Sequence, residues 1–419
     1  MRRQAHGGVT PVAASGLIGQ RDYLRFWASR WMGAFGSQVQ SVAMGWQVYA
    51  ISRRTLDVAH SAFNVSLIGL VTFVPLLLLA LPAGETVDRY DRRKVLGLCY
   101  GVEIAGVAVL AVATAAGRAD VNLLLVVAVF FGAARAFFSP AMTALAPMLV
   151  SRELLPKAIA WNSLAWQSAS VIGPAAAGFL IAASPAGAYG AVLVLYAAAA
   201  LALSRIERAT APKAQAGSRL SLVKEGLSYV WGNKVVFGAI SLDLAAVILG
   251  GARALFPAFA RDVLHSGPEG LGLLGMGPAL GATAVGLFLA ARPLRGKVGL
   301  TMFAGVAVFG AMTLAFSVSR LMWLSILVLA VMGGADMLSV YVRQTLVQLT
   351  TPDPMRGRVA AVSTLFVGAS NELGEFESGL AARFLGVIGS AMFGGFGALA
   401  AAGGWAWLFP ALRKADRLE

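Results

Sequence analysis

The sequence predicts an all-α, polytopic membrane protein with twelve transmembrane helices in two six-helix halves. The 419 residues are 58% hydrophobic and only 13% charged, whereas about 25% charged residues are usual in a soluble domain. Apolar runs long enough to cross a bilayer, at about 20 residues each, recur along the chain. Basic residues collect in alternate connections between these runs. Together, these observations favour a protein that crosses the membrane many times.

The apolar runs fall into two sets of six, separated by a basic stretch. Residues 1–20 are polar and lack the apolar core of a signal peptide, so we expect a cytoplasmic tail. The N-terminal half, residues 21–203, contains six predicted helices, near 26–51, 61–83, 95–117, 122–149, and two that end near 183 and 203. Residues 204–234 are predicted to form a cytoplasmic linker. The C-terminal half, residues 235–411, contains six more helices, near 235–260, 270–291, 298–318, 322–346, 358–384 and 389–411, before a short tail at 412–419.

The distribution of basic residues predicts the orientation. Roughly 25 of the 34 Lys and Arg lie on the side of the two termini and about 5 on the other side. The positive-inside rule then places both termini in the cytoplasm, and we expect a bacterial inner-membrane protein. Since the net charge of +14 follows this alternation, it does not indicate nucleic-acid binding.

An internal repeat supports the division into halves. Six residues of the first half recur as the same residue type in the second half at one constant offset: Gly132, Ala134, Leu145, Ala160, Gly173 and Gly178 correspond to Gly333, Ala335, Leu346, Ala361, Gly374 and Gly379. A shift of two more residues aligns the basic residues Arg89, Arg92 and Lys94 with Arg292, Arg295 and Lys297. Parallel six-helix repeats are one known transporter architecture.

A charged segment, Gly84–Lys94, separates the second and third predicted helices and is predicted to be a loop. Its spacing of Gly84, Asp88, Arg89, Arg92 and Arg93 resembles the signature loop of the major facilitator superfamily. In that family the Asp and Arg of this loop latch the two halves together on the cytoplasmic side. The resemblance implies that these five residues form a cytoplasmic gate motif; the alternative is a simple positive-inside anchor.

A second motif lies in the fifth predicted helix. Gly173, Pro174 and Gly178 resemble the Gly-x-x-x-Gly-Pro motif of the superfamily's exporters, although Ala169 stands at the first glycine position. The resemblance implies an antiporter. Pro174 is expected to bend the helix, and the small residues to allow a neighbouring helix to approach closely. Ordinary helix packing would need the same residues.

Charged residues inside predicted helices are candidate functional groups, because burying a charge in the bilayer costs roughly 2.5–3.5 kcal/mol on insertion scales. Arg135 and Asp336 lie near the middle of the fourth and tenth helices, at equivalent positions of the repeat. We expect an opposite-charge pair at equal depth across a central cavity. The two side chains would bridge directly or face a substrate; a static pair, or one with another helix, is the alternative.

The densest polar cluster lies in the eleventh predicted helix. At 100° per residue, Glu372 and Glu375 share a face with Asn371, whereas Glu377 points away. Glu372 and Glu375, together with Asp336, are therefore the proton-coupling candidates. Buried hydrogen bonding to a neighbouring helix is the alternative. For Glu377 we expect a structural role with Arg383.

Further polar and aromatic residues are candidates for the wall of a substrate cavity. The complete set of candidates is Arg135, Asn371, Trp166, Tyr341 and Asp243. The aromatic pair would also fit membrane interfaces or packing. Asp243 and Arg253 are too far apart along the seventh helix to pair with each other. Glu103, in the third helix, is expected to serve packing.

Three segments, Phe131–Pro140, Pro257–Leu264 and Ser370–Ser378, resemble the drug and siderophore exporter branch of the major facilitator superfamily. This resemblance implies a secondary active transporter, a proton-coupled antiporter that exports a small organic molecule such as a drug by alternating access. A siderophore or metabolite exporter, a lipid flippase and a non-transporting scaffold are the alternatives.

The expected partners are the lipid bilayer, a small-molecule substrate and protons, and we expect a monomer. The chain has no P-loop sequence typical of ATP-driven pumps and no nucleophile motif typical of an enzyme. One cysteine, Cys99, excludes an internal disulfide. We therefore expect no cofactor and no metal.

Overall fold

The computed structural model describes residues 16–207, 219–294 and 296–415, without the side chains of residues 219–223. Most of the predicted N-terminal tail, part of the predicted linker, Arg295 and residues 416–419 lie outside these ranges.

Helices make up nearly all of the described chain. In order they are α1 (Arg21–Ser52), α2 (Val58–Arg89), α3 (Arg92–Ala115), α4 (Val121–Leu149), α5 (Leu155–Ala183), α6 (Pro185–Ser204), α7 (Arg219–Gly232), α8 (Lys234–Gly250), α9 (Phe256–Ala258), α10 (Pro268–Ala291), α11 (Val298–Val318), α12 (Met322–Thr350), α13 (Asp353–Leu408) and α14 (Pro410–Arg413).

The described residues contain twelve membrane crossings. Ten helical segments are long and apolar enough to span a bilayer, and α8, α9 and the helical turns around them count as one of these, Lys234–Val263. The more polar α1 adds an eleventh crossing. The long α13 contributes two crossings rather than one, because Gly386 has φ 73° and ψ 167° and breaks the helix there. The predicted all-α membrane fold is confirmed.

The charged segment Gly84–Lys94 is mostly helical, so the predicted loop is wrong over most of its length. Helix α2 continues to Arg89 and α3 begins at Arg92, which leaves only Tyr90 and Asp91 between them. The Asp91 side chain accepts a hydrogen bond from the Arg93 backbone N–H at 2.9 Å and so caps α3. Hydropathy marks the apolar span, whereas a helix can continue beyond it into the polar region.

The predicted linker contains a helix, α7, that the hydropathy pattern did not indicate. Val230 packs in an apolar cluster with Val236, Val359 and Val362. Glu225 on α7 also forms an ion pair with Arg358 on α13. These contacts attach α7 to the C-terminal half.

Two pairs of long helices join the halves: α2 with α13, and α5 with α10. We call the end of the bundle near α7 the linker end and the opposite end the far end. The aromatic rings of Phe63 and Phe376 have centroids 6.3 Å apart, and Arg383 lies 5.3 Å from the centre of the Phe63 ring. Phe63 belongs to the first turns of α2, and Phe376 and Arg383 to the part of α13 near Gly386. These contacts between the halves therefore lie toward the far end.

The contacts between α5 and α10 likewise extend toward the far end. The Gln167 amide donates to Thr283 Oγ1 at 2.5 Å. Beyond it toward the far end, Pro174 and Gly178 abut Gly272, where a Cβ on Gly272 would lie 3.0 Å from the Gly178 backbone. Pro174 and Gly178 thus lie where α5 closely approaches α10, whereas Gly173 of the same motif faces Gln38 of α1 in its own half.

Candidate functional site between the halves

An ion pair joins the halves inside the membrane. Arg135 Nη1 on α4 lies 2.9 Å from Glu372 Oε1 on α13. The Arg135 side chain is 48% exposed, although it lies well within a membrane-spanning helix. Because this exposed guanidinium contacts the opposite half, we infer that it borders an open space between the halves. We call this space the central cavity.

The exposed face of α4 continues toward the linker end. Ser139 and Thr143 follow Arg135 at intervals of four residues, and both are exposed. Because residues four apart share one face of a helix, these polar side chains line the same wall. The cavity therefore extends from Arg135 to the linker end, while the contacts described above close the far end.

Glu375 lies one turn beyond Glu372 on α13, against α2. A Cβ built on Gly69 would lie 3.1 Å from the Glu372 backbone oxygen and 3.4 Å from Glu375 Cβ. The glycine thus allows α2 to approach the helix that carries both carboxylates. Asn371 is exposed beside them. The structure therefore brings Arg135 to Asn371, Glu372 and Glu375, the group that the sequence analysis had placed on one face of a single helix.

Trp166 on α5 is 52% exposed. It lies on the same helix face as Ser163 and Ser170, whereas the exposed apolar residues Leu164 and Ile172 lie on other faces. Ser170 accepts a hydrogen bond from Gln38 on α1 at 3.0 Å. The exposed apolar residue Ile159 lies on this face as well, so the place of Trp166 at the cavity wall stays a prediction.

The predicted pairing of Arg135 with Asp336 is wrong in this structure. Asp336 lies inside the C-terminal half, in a small cavity that Asp243, Ser339 and apolar residues of α8 and α11 also line. The repeat gave the two residues equal depth along their helices. Depth does not fix direction, and Asp336 points between α8, α11 and α12.

Asp243 is likewise not at the wall of the central cavity, where the sequence analysis had placed it. Its Oδ1 lies 3.2 Å from Nε of Arg343, and the two side chains are 6% and 3% exposed. Arg343 also donates to Ser363 at 3.3 Å. Asp243 therefore does not pair with Arg253, as expected. The sequence analysis missed Arg343, because a basic residue near a helix end also fits a membrane anchor.

Three further predictions have definite outcomes. Tyr341 packs with an apolar cluster of the C-terminal half that includes Phe303 and Trp405, away from the central cavity. Glu103 accepts a hydrogen bond from Gln40 at 3.2 Å within the N-terminal half, which supports a packing role. Arg383 contacts Phe63 as described, and no ion pair between Arg383 and Glu377 forms within the described ranges.

The gate-motif arginines contact their own half or the adjoining chain in this structure. Arg89 lies 3.9 Å from Glu85. Arg92 contacts the Met148 sulfur, and Arg93 pairs with Asp91 at 3.0 Å and donates to the Ile206 carbonyl. A latch across the halves by this motif stays a prediction for another state.

At the far end, an ionic contact joins the halves. The Tyr49 hydroxyl donates to Asp262 Oδ2 at 2.5 Å, and Arg53 Nη2 lies 3.1 Å from Asp262 Oδ1. The sequence analysis did not predict this far-end latch, since its partners are more than 200 residues apart in the chain. No spacing rule joins such distant residues.

Two six-helix halves, in contact at the far end and joined by an ion pair inside the membrane, define the fold of a membrane transporter. The chain belongs to the transmembrane secretion effector family of the major facilitator superfamily, whose family model matches residues 17–419.

Characterised relatives and solved structures agree with this assignment. The chain is 31% identical over 378 residues to the multidrug efflux pump Tap of Mycobacterium tuberculosis, covering 83% of this chain and 84% of Tap. It is 27% identical over 374 residues to the enterobactin exporter EntS of Shigella boydii, covering 86% of this chain and 83% of EntS. Among solved structures, an inward-facing bacterial homologue of the iron transporter ferroportin superposes with a TM-score of 0.69 at 17% identity, covering 96% of this chain and all of that one. This last similarity concerns the fold alone.

Proposed function

We propose that the protein is a proton-coupled antiporter that exports a small organic molecule, of the kind that drug exporters carry, by alternating access. The proposed location is the bacterial inner membrane, with the linker end in the cytoplasm, and the proposed working unit is a monomer. The names of the relatives and the basic residues at the linker end support this direction and orientation.

The ion pair between Arg135 and Glu372 is the observation that carries the proposal. It connects the two halves at the cavity and can be broken by protonation of the carboxylate or by a competing ligand. Glu375 provides a second carboxylate one turn away. Asp336 is a third candidate carboxylate inside the C-terminal half. A change in charge at these positions would alter the contact between halves that must move relative to each other.

The described state is then the one that loads substrate from the cytoplasm. Its cavity opens at the linker end, and its far end is closed by the Asp262 contacts. In the outward-open state the far-end latch would separate, and the gate motif of α2 and α3 would close the cytoplasmic side. Such exchange between two arrangements of the halves is how parallel-repeat transporters expose one site to each side in turn.

Siderophore or metabolite export is a second candidate function. The similarity to EntS over most of both chains favours it. A hydrophilic substrate would also suit the polar residues along α4. Both candidates use the same cavity and the same coupling residues, so the substrate panel decides between them.

The test is efflux from a bacterial host that lacks its own pumps, across cationic dyes, antibiotics and catecholates, with and without a protonophore. We expect protonophore-sensitive efflux of at least one compound. Glu372→Gln and Glu375→Gln should each reduce the efflux rate at least 10-fold, because an amide side chain, unlike a carboxylate, cannot take up and release a proton near neutral pH.

Glu377→Gln is the matched control, since Glu377 lies on the same helix but outside the cluster around Arg135, and it should keep near-normal efflux. Efflux that continues unchanged in both the Glu372 and Glu375 variants, or that ignores the protonophore, would contradict proton coupling. No movement of any compound would favour a flippase or a scaffold.

A further inference from the structure

The seventh crossing is interrupted beside the two glutamates. Helix α8 ends at Gly250, and Gly251, with φ −69° and ψ 94°, leaves the helical conformation. The Ser378 hydroxyl on α13 donates to the freed Gly251 carbonyl. A Cβ on Gly251 would lie 3.2 Å from the backbone carbon of Gly374. The break is therefore held against the turns of α13 that carry Glu375.

A short 3₁₀ turn, Arg253–Leu255, follows the break and packs against both α2 and α13. Interrupted helices in transporters commonly mark binding sites, because they place polar groups at membrane depth. Here the interruption places a guanidinium, that of Arg253, at the boundary between the halves.

Arg253 differs from Arg135 and Arg343, the two paired arginines described above. Its side chain is exposed, and within the described ranges its guanidinium makes no hydrogen bond and no ion pair. Arg135 and Arg343, by contrast, each contact a carboxylate directly. A guanidinium carries five N–H donors and keeps its charge. Keeping it unpaired at this depth is costly.

Nearby carboxylates in the described part of the chain attract Arg253, but none of them forms a direct ion pair or hydrogen bond with it. It is attracted by Glu372 and Glu375 from α13 and by Asp336 from α12. Arg135 already neutralises Glu372 through the direct ion pair. The guanidinium donors of Arg253, at the boundary between the halves, therefore remain open to a ligand.

We propose that Arg253 binds an anionic group of the transported molecule, so that the substrates are small organic anions bearing a carboxylate or catecholate. A guanidinium binds such planar oxygen pairs through two parallel hydrogen bonds. This inference rests on the proposed function, in that the central cavity is the substrate path. It goes further by stating the charge of the substrate.

Equilibrium binding to the purified full-length protein in detergent tests the inference. The anionic probes are carboxyfluorescein and 2,3-dihydroxybenzoate, and the cationic probe is ethidium. We expect Arg253→Gln to weaken binding of the anionic probes at least 10-fold and to leave the affinity for ethidium unchanged. Arg253→Lys keeps the charge but loses the two-bond geometry, so it should give an intermediate affinity. Arg320→Gln, in the exposed connection before α12, should bind like the wild type.

Anion binding that is equal in Arg253→Gln and wild type would overturn the inference, and so would a wild type that binds neither anionic probe. If Arg253→Gln does not fold, as judged by thermal unfolding, Arg253→Lys tests the inference instead. An affinity for the anionic probes equal to that of the wild type would then exclude a contact through two parallel hydrogen bonds and overturn the inference. Binding needs no proton gradient, so its result is independent of efflux. Anion binding that depends on Arg253 in a protein without efflux would refute the proposed exporter and keep the binding site.

Discussion

Arg343→Met should give the largest loss of stability of any single change considered. Arg343 is almost completely buried and is the direct ionic partner of Asp243. Its removal would leave Asp243 and the nearby Asp336 in a low-dielectric interior without that cation. Removal of one partner of a buried ion pair costs about 3–5 kcal/mol. We expect low yield and a strongly reduced unfolding temperature in detergent.

The double variant Asp243→Leu with Arg343→Met provides the control. It removes both charges of the pair and should recover a large part of the lost stability, because apolar replacements of buried pairs are often tolerated. Asp336 would keep the recovery incomplete. A single variant as stable as the wild type, or a double variant less stable than the single one, would contradict a structural pair.

Asp262→Asn should shift the protein toward the state that is open at the far end. Asp262 is the common acceptor for Tyr49 and Arg53 across the halves. Hydrogen bonds to a charged group contribute about 1.5–3 kcal/mol each, and about 1.4 kcal/mol changes a population ratio tenfold. We therefore expect at least a tenfold shift in the ratio of the two states.

Spin labels can measure this shift. The labels replace Arg118 in the connection after α3 and Arg320 in the connection after α11, both exposed at the far end, with Cys99→Ser to remove the native thiol. Asp262→Asn should increase the population with a long distance between the labels. Asp57→Asn is the matched control, since Asp57 bonds His60 of its own half. An unchanged distance distribution in the Asp262 variant would show that the latch does not hold the far end closed.

The sequence predicts the helices better than it predicts their partners. Apolar length identifies the crossings, and the positive φ of Gly386 lies in the gap predicted between the last two helices. Periodicity also groups Glu372 with Glu375, because that grouping depends on one helix alone. The contact of Arg135 with Glu372 depends on how two halves pack, and the equivalence of Arg135 with Asp336 under the repeat carries no information on that packing.

Dependence on how the two halves pack also explains why the sequence analysis missed several residues. Tyr49 and Asp262 meet only because the far end is closed, which is a property of one conformational state. Arg253 follows a helix break that Gly250 and Gly251 permit but do not require, so its position at the boundary between the halves is not visible in a hydropathy pattern. Helix α7 escapes prediction because its apolar face is too short to resemble a membrane span.

Transport by the purified protein in proteoliposomes under an imposed pH gradient tests proton-coupled export most directly. The transported compound is the best substrate of the efflux panel, and a trapped pH-sensitive dye reports proton movement. We predict uphill movement of the substrate only when the gradient is present, with protons moving in the opposite direction, and loss of both movements in Glu372→Gln. Substrate movement that proceeds equally without the gradient, or without any proton movement, would contradict the proposal.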